Sequence, residues 1–201
     1  MDVKFDDLNQ DFKDFLNLTK QRCIEEDTSF RGKDLRHEKY SSIDRDLKLS
    51  RKGLNQCMKW VKESVFELNV NGELYGSQHR LQFNFSQKEL KKVANLMKEQ
   101  FGYKWKPSGV FKIPEEGGFF GWHHNANKPF PRVYFVWAKE ENSSWFYIQK
   151  KGKIITTNEP KGWSINMFQP PYWHSGKSDC MRISIGFRQL EGEAIWRDQE
   201  K

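Results

Sequence analysis

The spacing of apolar residues changes along the chain, from a helical period in its first part to strand-like alternation in its last. Phe5, Leu8 and Phe12 recur at intervals of three and four residues among charged side chains, which predicts an amphipathic helix over residues 4–23. Residues 24–42 are rich in charge and lack an apolar period, so we expect a linker or an extended arm there. A second helical stripe follows at Leu54, Met58, Val61 and Val65.

Residues 66–102 combine a turn signal with a helix signal. Asn71-Gly72 separates two apolar runs and predicts a two-residue hairpin, because both residues tolerate positive φ. Ser86 and Glu89 have the spacing of a capping box, and the apolar stripe behind them predicts a helix that ends near Gly102. We expect this helix to cover a sheet formed by the strands that follow.

From Trp105 onward, short apolar or alternating runs are separated by turn residues, which is typical of strands. The predicted strands are 109–113, 119–123, 132–138, 144–149, 153–156, 163–168, 172–174 and 182–188. Eight strands are enough for a jelly roll, so we predict a mostly β chain with helical additions, of the α+β class. The predicted division is an N-terminal helical segment or arm, 1–66, packed on a β domain, 67–201.

Composition narrows the class of protein without naming a function. The 201 residues carry a net charge of +7, and aromatic residues make up 15%, so we expect a charged surface around a core built from rings. No apolar run approaches the ~20 residues that cross a bilayer, and we expect no membrane partner and a cytoplasmic protein. Three widely spaced cysteines argue against a disulfide framework and a zinc cluster.

Two short histidine-containing segments carry the candidate chemistry. His123 and Asn125 are two residues apart, so they project to the same side of one strand, and His174 can close a site from a distant strand. Mononuclear iron enzymes hold their metal with two imidazoles and one carboxylate and leave other positions open. The pattern therefore indicates an iron site in which a neutral amide, Asn125, stands where a carboxylate is expected.

Residues 105–190 resemble the 2-oxoglutarate and iron(II)-dependent oxygenases, particularly the prolyl-hydroxylase-like and phage-encoded members. The resemblance implies a double-stranded β-helix of the jelly-roll, cupin-like type, with Fe(II) and 2-oxoglutarate as cofactors. Its His-x-Asp motif falls on His123 and Asn125, its distal histidine on His174, and its co-substrate-binding arginine on Arg182. Since an amide supplies no charge, we expect the metal to be held more weakly than by a carboxylate.

An alternative register shifts the motif by one residue. It would make His124 the ligand and put Ala126 at the position of the acid, as in the halogenating branch of the same family. We prefer the first register. In it, strict alternation puts one set of side chains on the site face of the strand, namely Phe119, Gly121, His123 and Asn125.

The strand predicted over 182–188 alternates polar and apolar residues, which puts Arg182, Ser184, Gly186 and Arg188 on one face. The resemblance implies that Arg182 binds the tail carboxylate of 2-oxoglutarate in a bidentate manner and that Ser184 adds a second bond. Tyr134 is a candidate donor to the same carboxylate or an ordinary core aromatic. Arg188 resembles the second arginine of the nucleic-acid demethylase branch, although a surface salt bridge is its alternative role.

The resemblance implies a dioxygenase that hydroxylates an unknown substrate while 2-oxoglutarate is decarboxylated to succinate. The alternative is a non-catalytic structural or binding protein that retains the fold, such as a phage assembly component in the virion whose N-terminal helices hold a protein partner. A third candidate is a nucleic-acid modifying oxygenase, favoured by the basic excess and by Arg188.

Overall fold

A computed structural model describes residues 3–25, 42–62, 81–115, 117–124, 130–169 and 172–190. A short 3₁₀ helix, Phe5–Asp7, precedes four α-helices: α1 (Gln10–Glu25), α2 (Ser42–Leu49), α3 (Arg51–Lys62) and α4 (Gln87–Phe101). The strands are β1 (Leu81–Phe83), β2 (Trp105–Ile113), β3 (Gly118–His123), β4 (Arg132–Ala138), β5 (Ser144–Lys150), β6 (Lys153–Glu159), β7 (Gly162–Phe168), β8 (His174–Ser178) and β9 (Arg182–Gln189).

The strands form two antiparallel sheets. One has the order β1-β2-β9-β4-β7 and the other the order β3-β8-β5-β6, so the chain passes repeatedly from one sheet to the other. This alternation between two facing sheets is the topology of a jelly roll, and it confirms the predicted double-stranded β-helix with helical additions.

Helices α1 and α4 cover the outer face of the five-stranded sheet. Alternate residues of β4 and β9, such as Phe135 and Phe187, are fully buried against Phe12 of α1. The intervening residues of the same strands therefore point into the space between the two sheets. Helix α4 begins at the capping box of Ser86 and ends at Gly102, which has φ +67°, as the sequence predicts.

The outer face of the four-stranded sheet packs against α2 and α3. Trp122 and Trp173 form a core cluster there with Leu54 and Cys57. Two ion pairs attach α2 to β8 and the turn after it: Arg45 with Asp179 at 2.5 Å, and Lys177 with Asp46 at 3.1 Å. Among the helices that the structure describes, none is long and apolar enough to cross a membrane.

One sequence-based expectation has the wrong bounds, and three others concern residues that lie wholly or mostly outside the described ranges. The strand predicted at 172–174 was wrong in its bounds, because β8 begins at His174 and runs to Ser178. Its Ser-Gly-Lys-Ser sequence has no apolar alternation, and its strand form comes from pairing with β3 and β5. The linker over 24–42, the Asn71-Gly72 hairpin and the domain boundary at residues 66 and 67 lie wholly or mostly outside the described residues.

Candidate active site

His123 and His174 lie opposite each other on neighbouring strands. His123 of β3 is the cross-strand partner of His174 of β8, and the centroids of their rings are 4.1 Å apart. Metal–nitrogen bonds of about 2 Å put the centroids of two adjacent imidazole ligands roughly 4–5 Å apart. The structure therefore brings these two predicted site residues to a separation that suits two ligands of one metal ion.

An irregularity in β3 produces this pairing. Phe120 pairs with Gly176 and His123 with His174, so three residue steps along β3 match two along β8. Because of this bulge, Phe120 and His123 share the inner face, and the strict alternation that we expected for the strand was wrong. His124 lies on the other side, with its ring 4.6 Å from Trp173, and the structure brings His123 rather than His124 against His174.

The hydrogen bonds of the two imidazoles define their tautomers. Nδ1 of His123 lies 2.8 Å from the carbonyl oxygen of Gly121, and Nδ1 of His174 lies 3.1 Å from that of Tyr172. Since a carbonyl oxygen only accepts, each Nδ1 carries a proton, and in the neutral imidazole Nε2 then carries the lone pair. This is the form in which a histidine binds a metal through Nε2, with its other nitrogen held by a backbone group.

Aromatic rings surround His174 on the inner side of the sheets. Phe168 lies 4.5 Å from it, Phe146 6.1 Å and Tyr134 6.2 Å, between ring centroids. Burial in this apolar wall, together with the neighbouring His123, holds the pKa of His174 well below its usual value. His174 is therefore neutral at physiological pH, as a metal ligand must be.

The third predicted ligand, Asn125, lies outside the described residues, and its role stays a prediction. Within the described ranges, no group of three or more His, Cys, Asp or Glu side chains is placed to hold a metal ion. Among the described residues, His123 and His174 therefore form a pair of imidazoles that lacks a third ligand of these types.

Arg182 points into the space between the sheets and meets a carboxylate of the chain itself. Its Nε and Nη2 donate to the two oxygens of Glu159 at 2.7 and 2.8 Å, and both side chains are buried. Ser144 and Asn166 donate to the same carboxylate. An external carboxylate would have to share or displace this pairing, and the role of Arg182 in binding 2-oxoglutarate stays a prediction. Ser184 is also buried, two residues after Arg182 on the same face of β9.

A row of cationic residues crosses three strands at the level of the histidine pair. Lys106 of β2 pairs with Arg188 of β9, which pairs in turn with Arg132 of β4. Tyr134, two residues after Arg132, shares a hydrogen bond with its guanidinium. The sequence analysis proposed Tyr134 and Arg188 for this site but missed Lys106 and Arg132, although alternation along the strand already put Arg132 on the face of Tyr134.

The depressed pKa of His174 predicts a specific pH dependence of stability. Above pH 6.5 the imidazole of His174 is neutral in both the folded and the unfolded chain, so its titration does not change the free energy of unfolding. As the pH falls below 6.5, the imidazole takes up a proton in the unfolded chain but not in the folded chain. For each pH unit over which this difference persists, the free energy of unfolding falls by about 1.4 kcal/mol. The metal-free parent should therefore lose more stability between pH 7 and 5 than a His174→Leu variant, measured by urea unfolding. Equal losses would contradict the prediction.

The chain is similar to solved structures but matches no protein-family model. No curated protein matches it. A prolyl hydroxylase from Trichoplax adhaerens, solved with a hypoxia inducible factor peptide fragment, is 16% identical with a TM-score of 0.39, over 90% of this chain and 92% of that one. A prolyl-4-hydroxylase from Pseudomonas putida is 12% identical with a TM-score of 0.37, over 69% and 83%.

A protein of the 2OG-Fe(II) oxygenase family from Burkholderia pseudomallei is also similar, at 12% identity and a TM-score of 0.37. The match covers 51% of this chain and 54% of that one, so the chain spans about half the length of that protein. At these identities and scores, the similar structures carry no argument about activity. The fold assignment rests on the strand order of the chain itself.

Proposed function

We propose that this protein is a 2-oxoglutarate/Fe(II)-dependent dioxygenase-like protein that hydroxylates an unknown substrate. The observation that carries the proposal is the cross-strand pair of His123 and His174, whose ring centroids are 4.1 Å apart. Both imidazoles have Nδ1 at a backbone carbonyl, which supports Nε2 as the ligand atom of each.

The residues around the pair have separate roles in this proposal. His123 and His174 would bind Fe(II), with Asn125 as the expected third donor. Phe146 and Phe168 exclude water from the inner side of the site, which strengthens electrostatic interactions there. When bound, Fe(II) supplies the chemistry that couples the decarboxylation of 2-oxoglutarate to the oxidation of a substrate.

Anaerobic titration of the full chain with Fe(II), with and without 2-oxoglutarate, tests the proposal. We expect the parent to bind one Fe(II) and the His123→Ala and His174→Ala variants to lose this binding. His124→Ala is the matched control, because it removes a neighbouring imidazole that contacts Trp173 on the other face of the sheet.

Succinate formation under air, measured on the same variants, then tests for turnover. Undiminished iron binding by His123→Ala would contradict the ligand assignment. If the parent itself binds no iron, the proposal fails, and the non-catalytic binding protein that retains the fold becomes the better hypothesis.

A further inference from the structure

The row of Lys106, Arg188 and Arg132 runs from solvent toward the interior. Lys106 is exposed, Arg188 is partly buried, and Arg132 is only 3% exposed. Directly paired residues of antiparallel strands share a face, so the three cationic side chains lie side by side on the inner face of the five-stranded sheet. Phe168 pairs with Arg132 and has its ring 4.5 Å from that of His174, which puts this row beside the histidine pair.

The close approach of these three positive charges is electrostatically unfavourable unless an anion is bound. Like charges directly opposite each other on neighbouring strands destabilise a sheet, and a buried charge without an ionic partner costs more. Over the part of the chain that the structure describes, none of the three residues forms a salt bridge with a carboxylate. The Nε of Arg132 has no hydrogen-bond partner within those same residues. Such a cluster of cations would be stabilised by an anion.

Tyr134 supports Arg132 in a defined position. It pairs with Gly186, and a Cβ at Gly186 would lie 2.4 Å from the ring of Tyr134 and 2.7 Å from the hydroxyl of Ser108. The absence of a side chain at Gly186 therefore lets the ring lie against β9. Burial lowers the pKa of Arg132, and the hydrogen bond from its guanidinium to Tyr134 opposes this effect, so Tyr134 helps to retain the charge.

Two inward-facing arginines, Arg182 of β9 and Arg132 of the neighbouring strand β4, differ in how their charge is balanced. Arg182 has its charge balanced by Glu159, at 2.7 and 2.8 Å, within the described interior. Arg132 has a tyrosine and a second arginine as its neighbours. An incoming anion gains the most from a charge that no carboxylate among the described residues balances.

We propose that Arg132, with Tyr134 and Arg188, forms an anion-binding site beside the histidine pair, and that its ligand is the carboxylate of a small organic acid. The choice of 2-oxoglutarate as that acid rests on the proposed function, whereas the anion site rests on the cationic row. In this assignment Arg132 binds the carboxylate directly, Arg188 adds long-range attraction, and the Arg182–Glu159 pair is structural.

Calorimetric titration of the metal-free full chain tests the assignment with three probes: 2-oxoglutarate, succinate and inorganic phosphate. We expect both carboxylates to bind the parent more tightly than phosphate does. Arg132→Met should weaken carboxylate binding at least tenfold, and Arg132→Lys should weaken it less. Lys153→Met is the matched control, since it removes one exposed positive charge at the β5–β6 turn and should leave binding unchanged.

Thermal unfolding of the same variants separates loss of a ligand contact from loss of the fold. Arg132→Met should unfold at the same temperature as the parent or higher, because it removes a buried charge that has no carboxylate partner among the described residues. Carboxylate binding that is equal in Arg132→Met and the parent would overturn the assignment. So would a parent that binds none of the three probes, or one that prefers phosphate.

Iron titration of these proteins distinguishes failure of the anion site from failure of the iron site. If carboxylate binding depends on Arg132 while His123→Ala binds iron as well as the parent, the anion site stands and the iron site fails. If iron binding depends on His123 while carboxylates bind independently of Arg132, the opposite holds.

Discussion

Arg182→Met should lower the free energy of unfolding by about 3–5 kcal/mol, because it leaves a buried carboxylate without its counter-charge. Glu159 has no exposed surface, and it accepts two hydrogen bonds from Arg182 at 2.7 and 2.8 Å. Only the neutral donors Ser144 and Asn166 would remain for its two oxygens among the described residues. Urea unfolding at pH 7 measures the loss.

Two further variants show whether the uncompensated charge is the cause. Arg182→Met combined with Glu159→Gln removes both charges and keeps the shapes similar, so it should recover more than half of the lost stability. Lys139→Met is a matched control, since it breaks an ion pair with Glu115 in which both side chains are largely exposed, at 45% and 58%. Such surface pairs contribute about 0–1 kcal/mol. A double variant that is less stable than Arg182→Met would refute the explanation.

Asn125→Asp should strengthen Fe(II) binding by roughly 10–100-fold or more, since even changes in the groups that support a metal ligand have effects of this size. The physical reason is charge. An imidazole ligand supplies no negative charge, and Arg132 lies near His174, so a carboxylate would supply the negative charge that a divalent cation favours. Anaerobic iron titration measures the affinity, and succinate formation measures whether turnover rises with it.

Asn127→Asp is the control for Asn125→Asp, because it adds the same charge two residues away in the sequence. It should change iron affinity far less. If Asn125→Asp improves neither iron binding nor turnover while the parent is active, the assignment of Asn125 as a ligand fails. The register that uses His124 would then have to be reconsidered.

Local pattern predicted much of the fold, because alternation and turn residues report directly on which side chains share a face. The strand predicted at 132–138 has the bounds of β4, and the capping box at Ser86 begins α4 as expected. His123 and His174 were selected from the sequence by their resemblance to a known motif. Their 4.1 Å ring separation follows from pairing between β3 and β8, which local periodicity does not specify.

By itself the sequence determined the type of each strongly periodic element and the residues that can carry chemistry. Only the tertiary structure decided which of these residues meet. The bulge in β3 turns Phe120 and His123 to one face, Glu159 neutralises Arg182, and strand order aligns Lys106, Arg188 and Arg132. The physical reason is that register and strand order depend on contacts between segments far apart in the chain, whereas periodicity reports only on neighbours along it.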